Sequence, residues 1–227
     1  MRTLSELLEA IHKEALRAEF PIDRPVYEKA GKDPLVPILY AGSLEAPVCV
    51  LGRDLGKDEV AAGQPLIGAG GRLVRSGFFQ AEHGVAPPVK DKSLESVLPR
   101  VLLTNTVPYK PPGNKAYATS VKERFRPLLA EFLVAHWTGG NTVITLGNEA
   151  FQWFTPSLES PEVFWSRDDR YEATISCVLT ANTGDGVVRK ALTLMPLPHP
   201  SPLNARWYPL FPGLLAKRLV SVAKAGK

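Results

Sequence analysis

Apolar residues recur along this chain in two rhythms. Over residues 4–16, Leu4, Leu7, Leu8, Ile11, Ala15 and Leu16 return at three- and four-residue intervals, which places them on one side of a helix. Thr3 and Glu6 stand at capping-box spacing at its start. Prolines and charges break the rhythm over residues 21–46, which read as a loop with a short strand at "PILYAG". Four compact apolar runs follow, each closing on turn or polar residues: "PVCVLG" (47–52), "VLLTN" (101–105), "TVITLGN" (142–148) and "ALTLMP" (191–196). Between them "AGGRLVRSGFF" and "KERFRPLLAEFLVAHW" have helical spacing. In the second, Phe125, Leu128, Leu129, Phe132 and Leu133 share a face, and Pro127 is expected to kink the helix or sit in its first turn. "TISCVLTANTGDGVVRKALTLMP" predicts a hairpin turning between Asn182 and Gly186.

Buried strands alternating with helices predict an α/β protein, a three-layer α/β/α arrangement around a central, largely parallel four-stranded sheet. No repeat, low-complexity tract or linker interrupts residues 1–227, so a single domain is expected. In such sheets ligands collect beyond the carboxyl ends of the strands. The residues there are Gly52-Arg53-Asp54, Thr104-Asn105, Gly147-Asn148 and the loop "PLPHPSPLNARWYP" (196–209) around His199. Prolines at 196, 198, 200 and 202 fix φ and remove amide donors, which argues against helix or central strand and for a rigid mount under the histidine.

Composition narrows the chemistry. Cys49 and Cys177, the only cysteines, lie in apolar strand-like runs and read as buried reduced thiols. Two cysteines make neither a disulfide framework nor a four-cysteine zinc or iron–sulfur site, and four scattered histidines form no ligand cluster, so no metal or other cofactor is expected. No apolar run approaches the ~20 residues of a membrane span, and the N-terminus carries charges throughout, unlike a signal peptide; no membrane partner and a cytoplasmic location are expected. The formal charge of +4 and pI of about 9.1 suit a polyanionic partner without requiring one.

Four motifs in order carry a family resemblance. "VLGRDLGKDEVAAGQPLIGAGGRLV" resembles the first motif of the uracil-DNA glycosylase superfamily, in particular its thermostable bacterial and archaeal branch (G-E-x-P-G, then G-x-P-F-x-G-x-A-G-x-L-L). "LTNTVPYKPPGNK" is similar to that branch's T-N-x-V-K-C-R-P-P-x-N-R, and "FRPLLAEFLVAHWTGGNTVITLGNEA" to its helix–strand unit ending L-G-x-x-A. "HPSPLNARWY" resembles H-P-S-P-L-S of the best-known uracil-excising branch. Together they cover roughly residues 36–219.

The resemblance implies a monofunctional enzyme that flips a damaged base out of DNA and hydrolyses its N-glycosidic bond. It places Asp54 as the water-positioning acid, Asn105 as reader of the base, and His199 as donor to the base O2 while negative charge builds there. Gly52, Arg53 and Leu66 fall at the base pocket. Lys110, Pro111, Ser201, Pro202, Leu203 and Arg206 fall at the DNA surface, with Leu203 as the wedge that fills the vacated stack. Lys115 is a further phosphate contact of the same kind. The expected partner is DNA, single- or double-stranded, bound by a monomer.

The sequence also departs from the pattern. Arg53 stands where the thermostable branch has its acid. Leu66 replaces a pocket phenylalanine, and Gly56 a bulky tyrosine of one branch. Tyr109 and Phe125 stand where cluster-binding cysteines would fall, and are expected to fill that space as core. Two alternatives accompany the reading. A weakly active or inactive relative would bind DNA or damaged bases without cutting. A nucleotide-binding enzyme would use "IGAGGRL", but that stretch follows a polar loop rather than a strand.

Overall fold

The computed structural model describes residues 1–17, 20–113 and 115–225. Two short helices, α1 (Leu4–Leu16) and α2 (Arg24–Lys29), precede the sheet, and the Thr3–Glu6 capping box closes the first turn of α1. The strands are β1 (Tyr40–Gly42), β2 (Val48–Gly52), β3 (Leu102–Asn105), β4 (Thr142–Leu146), β5 (Ile175–Thr183) and β6 (Gly186–Leu197). Between and after them lie α3 (Lys57–Ala62), α4 (Ala69–His83), α5 (Thr119–Glu131), α6 (Gly147–Gln152), α7 (Pro161–Trp165) and α8 (Phe211–Ala225).

The strands form one mixed sheet in the order β1-β3-β2-β4-β6-β5. The central four are parallel; β1 and β5 close the two edges antiparallel. The expected four-stranded sheet is therefore six-stranded: the short "PILYAG" strand and the 175–197 hairpin both join it. The hairpin turns where its asparagine and glycines indicated, with Thr183 opposite Gly186. One expectation about the proline-rich stretch is overturned. Strand β6 runs through Pro196 to Leu197, and Pro196 pairs with Thr145 of β4. A proline is tolerated there because β5 pairs no further than Leu194, so the missing amide faces no strand.

Alternate residues of each central strand enter two cores, one on each face. Cys49, Leu51, Leu102, Val143 and Leu194 meet α1 and α5 through Leu7, Ile11, Phe125 and Leu129. Val48, Val50, Leu103, Ile144 and Met195 meet α4 and α8 through Val74, Phe78, Phe211 and Leu215. Coverage of both faces explains why β2, β3 and β4 are buried at every position and read as continuous apolar runs. Pro127 lies inside α5 rather than in its first turn, and the chain continues from α5 into a wider π-type turn over Phe132–His136. Tyr109 and Phe125 pack as core: with Phe20 and Tyr117 they form a quartet whose neighbouring ring centroids lie 5.0–5.7 Å apart. Among the described residues no helix is long and apolar enough to cross a membrane.

Candidate active site

All four parallel strands deliver their carboxyl ends to one rim, and a cavity of about 840 Å³ opens there. Strand β2 ends at Gly52 and hands Arg53 and Asp54 to its wall. The chain after β6 brings His199, and the turn before α4 brings Leu66. Asn105, the last residue of β3, lies directly behind Gly52. A Cβ on that glycine would stand 2.4 Å from Asn105 Oδ1, so only glycine lets the amide sit there. Gly147 plays the same part for the histidine: its φ of +82° suits glycine, and a Cβ would come within 2.9 Å of His199 Cβ. Asn148, expected on the same rim, is exposed and does not line the cavity.

The polar groups at the rim are poorly satisfied. The Asp54 side chain is only 3% exposed, and neither carboxylate oxygen has an aligned hydrogen-bond partner among the described residues. Arg53 Nε approaches Oδ2 at 2.8 Å as an ion contact, off the hydrogen-bond direction. Burial pushes the Asp54 carboxyl above the usual carboxylate range, an effect moderated by Arg53 and Lys122. Asn105 is 1% exposed, and both its amide oxygen and nitrogen lack partners. Most buried polar atoms in folded proteins are hydrogen-bonded, so a carboxylate and an amide at one rim without hydrogen-bond partners mark places where a ligand or water completes the bonding.

His199 opens into the cavity, where water reaches it, while protein walls surround it on its other sides. Those walls, and secondarily the Arg53 guanidinium, push its pKa below the usual histidine range and so favour the neutral ring. A neutral imidazole keeps one N–H to donate toward a group that becomes anionic.

The rest of the proline-rich loop lies along the cavity. Pro200 packs on the start of α4, where a Cβ on Gly70 would meet its carbonyl oxygen at 2.7 Å. Ser201 Oγ accepts the Leu203 amide at 3.3 Å, which leaves its hydroxyl hydrogen to donate outward. Pro202 is exposed, and Leu203, at 96% exposure, is an apolar side chain that nothing in the protein covers. Arg206 is exposed beyond the cavity wall, with its guanidinium carbon 4.9 Å from the centre of the Trp207 ring.

Lys110 differs from its expected place at a phosphate. It is 3% exposed, and its ammonium donates to Asp23 Oδ2 at 2.7 Å, the Pro111 carbonyl at 2.9 Å and the Gly113 carbonyl at 2.7 Å. With all three N–H bonds committed inside the protein, it ties down the loop that brings buried Pro111 to the cavity. Besides Arg53, the cations that line the cavity among the described residues are Lys115 and a residue the sequence reading passed over, Lys57.

Two more residues escaped the sequence reading. Glu59 binds both walls of the pocket together: Oε2 accepts the Gly56 amide at 2.9 Å, and Oε1 accepts the Ile67 and Gly68 amides at 3.1 and 2.7 Å. Arg75 is fully buried. Its Nε donates to the Leu66 carbonyl at 2.9 Å, and its Nη atoms to the Ser93 carbonyl, the Gln64 side chain and the Pro65 carbonyl. Leu66 is held in a left-handed conformation at φ +53°, which is unfavourable for a side-chain-bearing residue. Both residues leave a trace in the sequence: Glu59 follows Gly56 at capping-box spacing, and Arg75 interrupts the apolar face of α4 beside Val74 and Phe78.

An α/β protein with its cavity at the carboxyl ends of parallel strands, lined by a carboxylate, an imidazole and a rigid proline loop, is thus defined. Residues 39–220 match the family model of the uracil DNA glycosylase superfamily, and the chain belongs to that superfamily. A search among curated proteins gives no match. Membership implies glycosylase activity on uracil or another damaged base in DNA, and members are typically monofunctional N-glycosyl hydrolases.

Proposed function

We propose that this protein is a monofunctional DNA glycosylase that excises uracil, or a related deaminated base, from DNA, acting as a monomer in base-excision repair. The observation that carries the reading is the buried Asp54 carboxylate, without an aligned hydrogen-bond partner, facing the same cavity as His199, with the unpartnered Asn105 amide behind Gly52. Asp54 in its ionised form orients a water molecule and stabilises the sugar as it gains oxocarbenium character. Asn105, with one donor and one acceptor, matches the N3–H and O4 edge of uracil. His199 donates to O2 as the base leaves. Water adds to the sugar carbon and the base departs with a proton, so the products are an abasic site and free base. Ser201, Lys57, Lys115 and Arg206 are the phosphate contacts, and Leu203 fills the gap left by the flipped nucleotide.

One observation favours the second reading, a binding protein that does not cut: the Arg53 contact occupies the approach to the Asp54 carboxylate. The deciding experiment incubates the protein with oligonucleotides carrying uracil opposite G, opposite A or in a single strand, then cleaves abasic sites with alkali. Strand cleavage that falls at least a hundredfold (on the order of the loss from removing one electrostatic stabiliser) in Asp54→Ala and His199→Ala supports the glycosylase. Tight binding of uracil-containing DNA with no abasic product, across uracil, hypoxanthine and xanthine, supports the binding protein.

A further inference from the structure

Beyond the cavity, the chain that leaves the proline-rich loop runs into a second feature. Trp207 donates its amide to the carbonyl of Asn204, a residue of the cavity wall, at 3.1 Å. Its ring is half-buried and belongs to neither core. It meets the edge of Tyr171 (centroids 4.8 Å apart, planes at 80°), and Tyr171 meets Trp165 (6.1 Å, 86°). Two guanidinium groups lie over these rings. The Arg206 carbon is 4.9 Å from the Trp207 centre, and the Arg170 carbon is 5.0 Å from Tyr171 and 5.6 Å from Trp165.

The charges around this strip distinguish it from ordinary surface packing. The neighbouring cations are neutralised: Arg167 makes two 2.7 Å bonds to Asp169, and Lys217 pairs with Glu172 at 2.5 Å. Arg170 and Arg206 have no carboxylate partner among the described residues. Arg170 spends Nη1 on the Arg167 carbonyl at 2.8 Å and leaves a buried Nε with no acceptor. Tyr171 is buried and Trp165 stacks on Phe151 (centroids 4.7 Å apart), so Trp207 is the ring that offers a base a flat apolar face, with two unneutralised guanidinium groups along the strip to meet phosphates. That is the combination by which proteins hold single strands without reading their sequence.

We propose that Trp207, flanked by Arg206 and Arg170 and braced from behind by Tyr171 and Trp165, forms a stacking platform for single-stranded DNA, continuous with the base cavity through Asn204. The inference rests on the glycosylase reading for its purpose: the platform holds the unpaired strand beside the damaged nucleotide and tilts the enzyme toward single-stranded or frayed substrate.

The tryptophans supply the probe. Of the four, Trp137 and Trp153 are fully buried, so quenching by DNA reports on Trp165 and Trp207. The whole protein is titrated with a short thymidine oligomer free of uracil, and with a duplex of equal length. We expect quenching by the single strand at concentrations where the duplex quenches less. We also expect the single-strand to duplex affinity ratio to fall about tenfold in the Trp165→Leu/Trp207→Leu protein, read by oligonucleotide fluorescence anisotropy. Arg170→Gln, which leaves both rings in place, lowers the same ratio and guards against a misfolded double variant. No quenching in the wild type, equal affinity for the duplex, or an unchanged ratio in these variants would overturn the platform. Because the oligomer carries no damaged base, this result stands whether or not the protein excises one; absence of excision would instead sink the glycosylase reading.

Discussion

Asp54 sits where a carboxylate is costly. Its carboxyl is nearly inaccessible and its pKa is raised by burial, so the folded protein holds the proton more tightly than the unfolded chain does. Between the two pKa values the native state binds more protons, and stability falls as pH rises through that window; the full penalty is present above the folded value. Asp54→Asn should therefore raise the melting temperature by a few degrees at pH 8, and the gain should shrink as pH falls through the raised pKa. Calorimetry across pH measures this, and equal or lower stability of the variant at pH 8 would contradict it. The proposed mechanism makes the same residue set activity. It needs Asp54 ionised and His199 neutral, and both conditions are met as pH rises, since one pKa is displaced upward and the other downward. The profile of kcat/KM should climb along one acid limb lying above the ordinary carboxylate range near 3.9. Replacing Arg53 by Gln removes a cation that favours the carboxylate and shifts that limb to higher pH; a shift to lower pH would refute the assignment.

Among the elements, the turn before α4 shows how a site residue is held by others distant in sequence. Leu66 keeps its left-handed backbone because Arg75 takes its carbonyl and Glu59 takes the next two amides. Arg75→Met would leave buried carbonyls without donors and should cost on the order of 2–4 kcal/mol in urea unfolding, at about 1–3 kcal/mol for each buried group left unpaired. Gly147→Ala forces a side chain into a φ of +82° and against His199, so it should lower kcat more than it lowers the binding of product DNA.

These elements also show what the sequence made legible. Asp54, Asn105 and His199 could be read because each follows an apolar run that ends a buried strand, and that position predicts a rim residue in a parallel sheet. The extent of β6 could not, since its prolines argued against a strand and only the end of β5 at its flank makes one admissible. Glu59, Arg75 and the buried ammonium of Lys110 each act through several hydrogen bonds, one of Lys110's reaching Asp23, 87 positions away. No periodicity in the chain records such a bond.

Across the whole molecule, the candidate site and the aromatic core occupy separate regions. The cavity collects the carboxyl ends of the strands, while the quartet of Phe20, Tyr109, Tyr117 and Phe125 consolidates the core under α1 and α5. Phe125→Ala should cost about 3–5 kcal/mol of stability, measured by denaturant unfolding. If Lys57, Lys115 and Arg206 are the phosphate contacts, duplex affinity should weaken with salt at a log–log slope of about −3.

Aromatic rings at these positions have a consequence for endurance. The rings pack as apolar core, and the two sulfhydryls are sealed in the same interior, with Cys49 fully inaccessible and the Cys177 thiol pushed up to about 11. A thiol without thiolate character is a poor target for peroxide. The fold thus shields both of its sulfhydryls from oxidation. Ellman's reagent should label neither cysteine in the native state and both in urea.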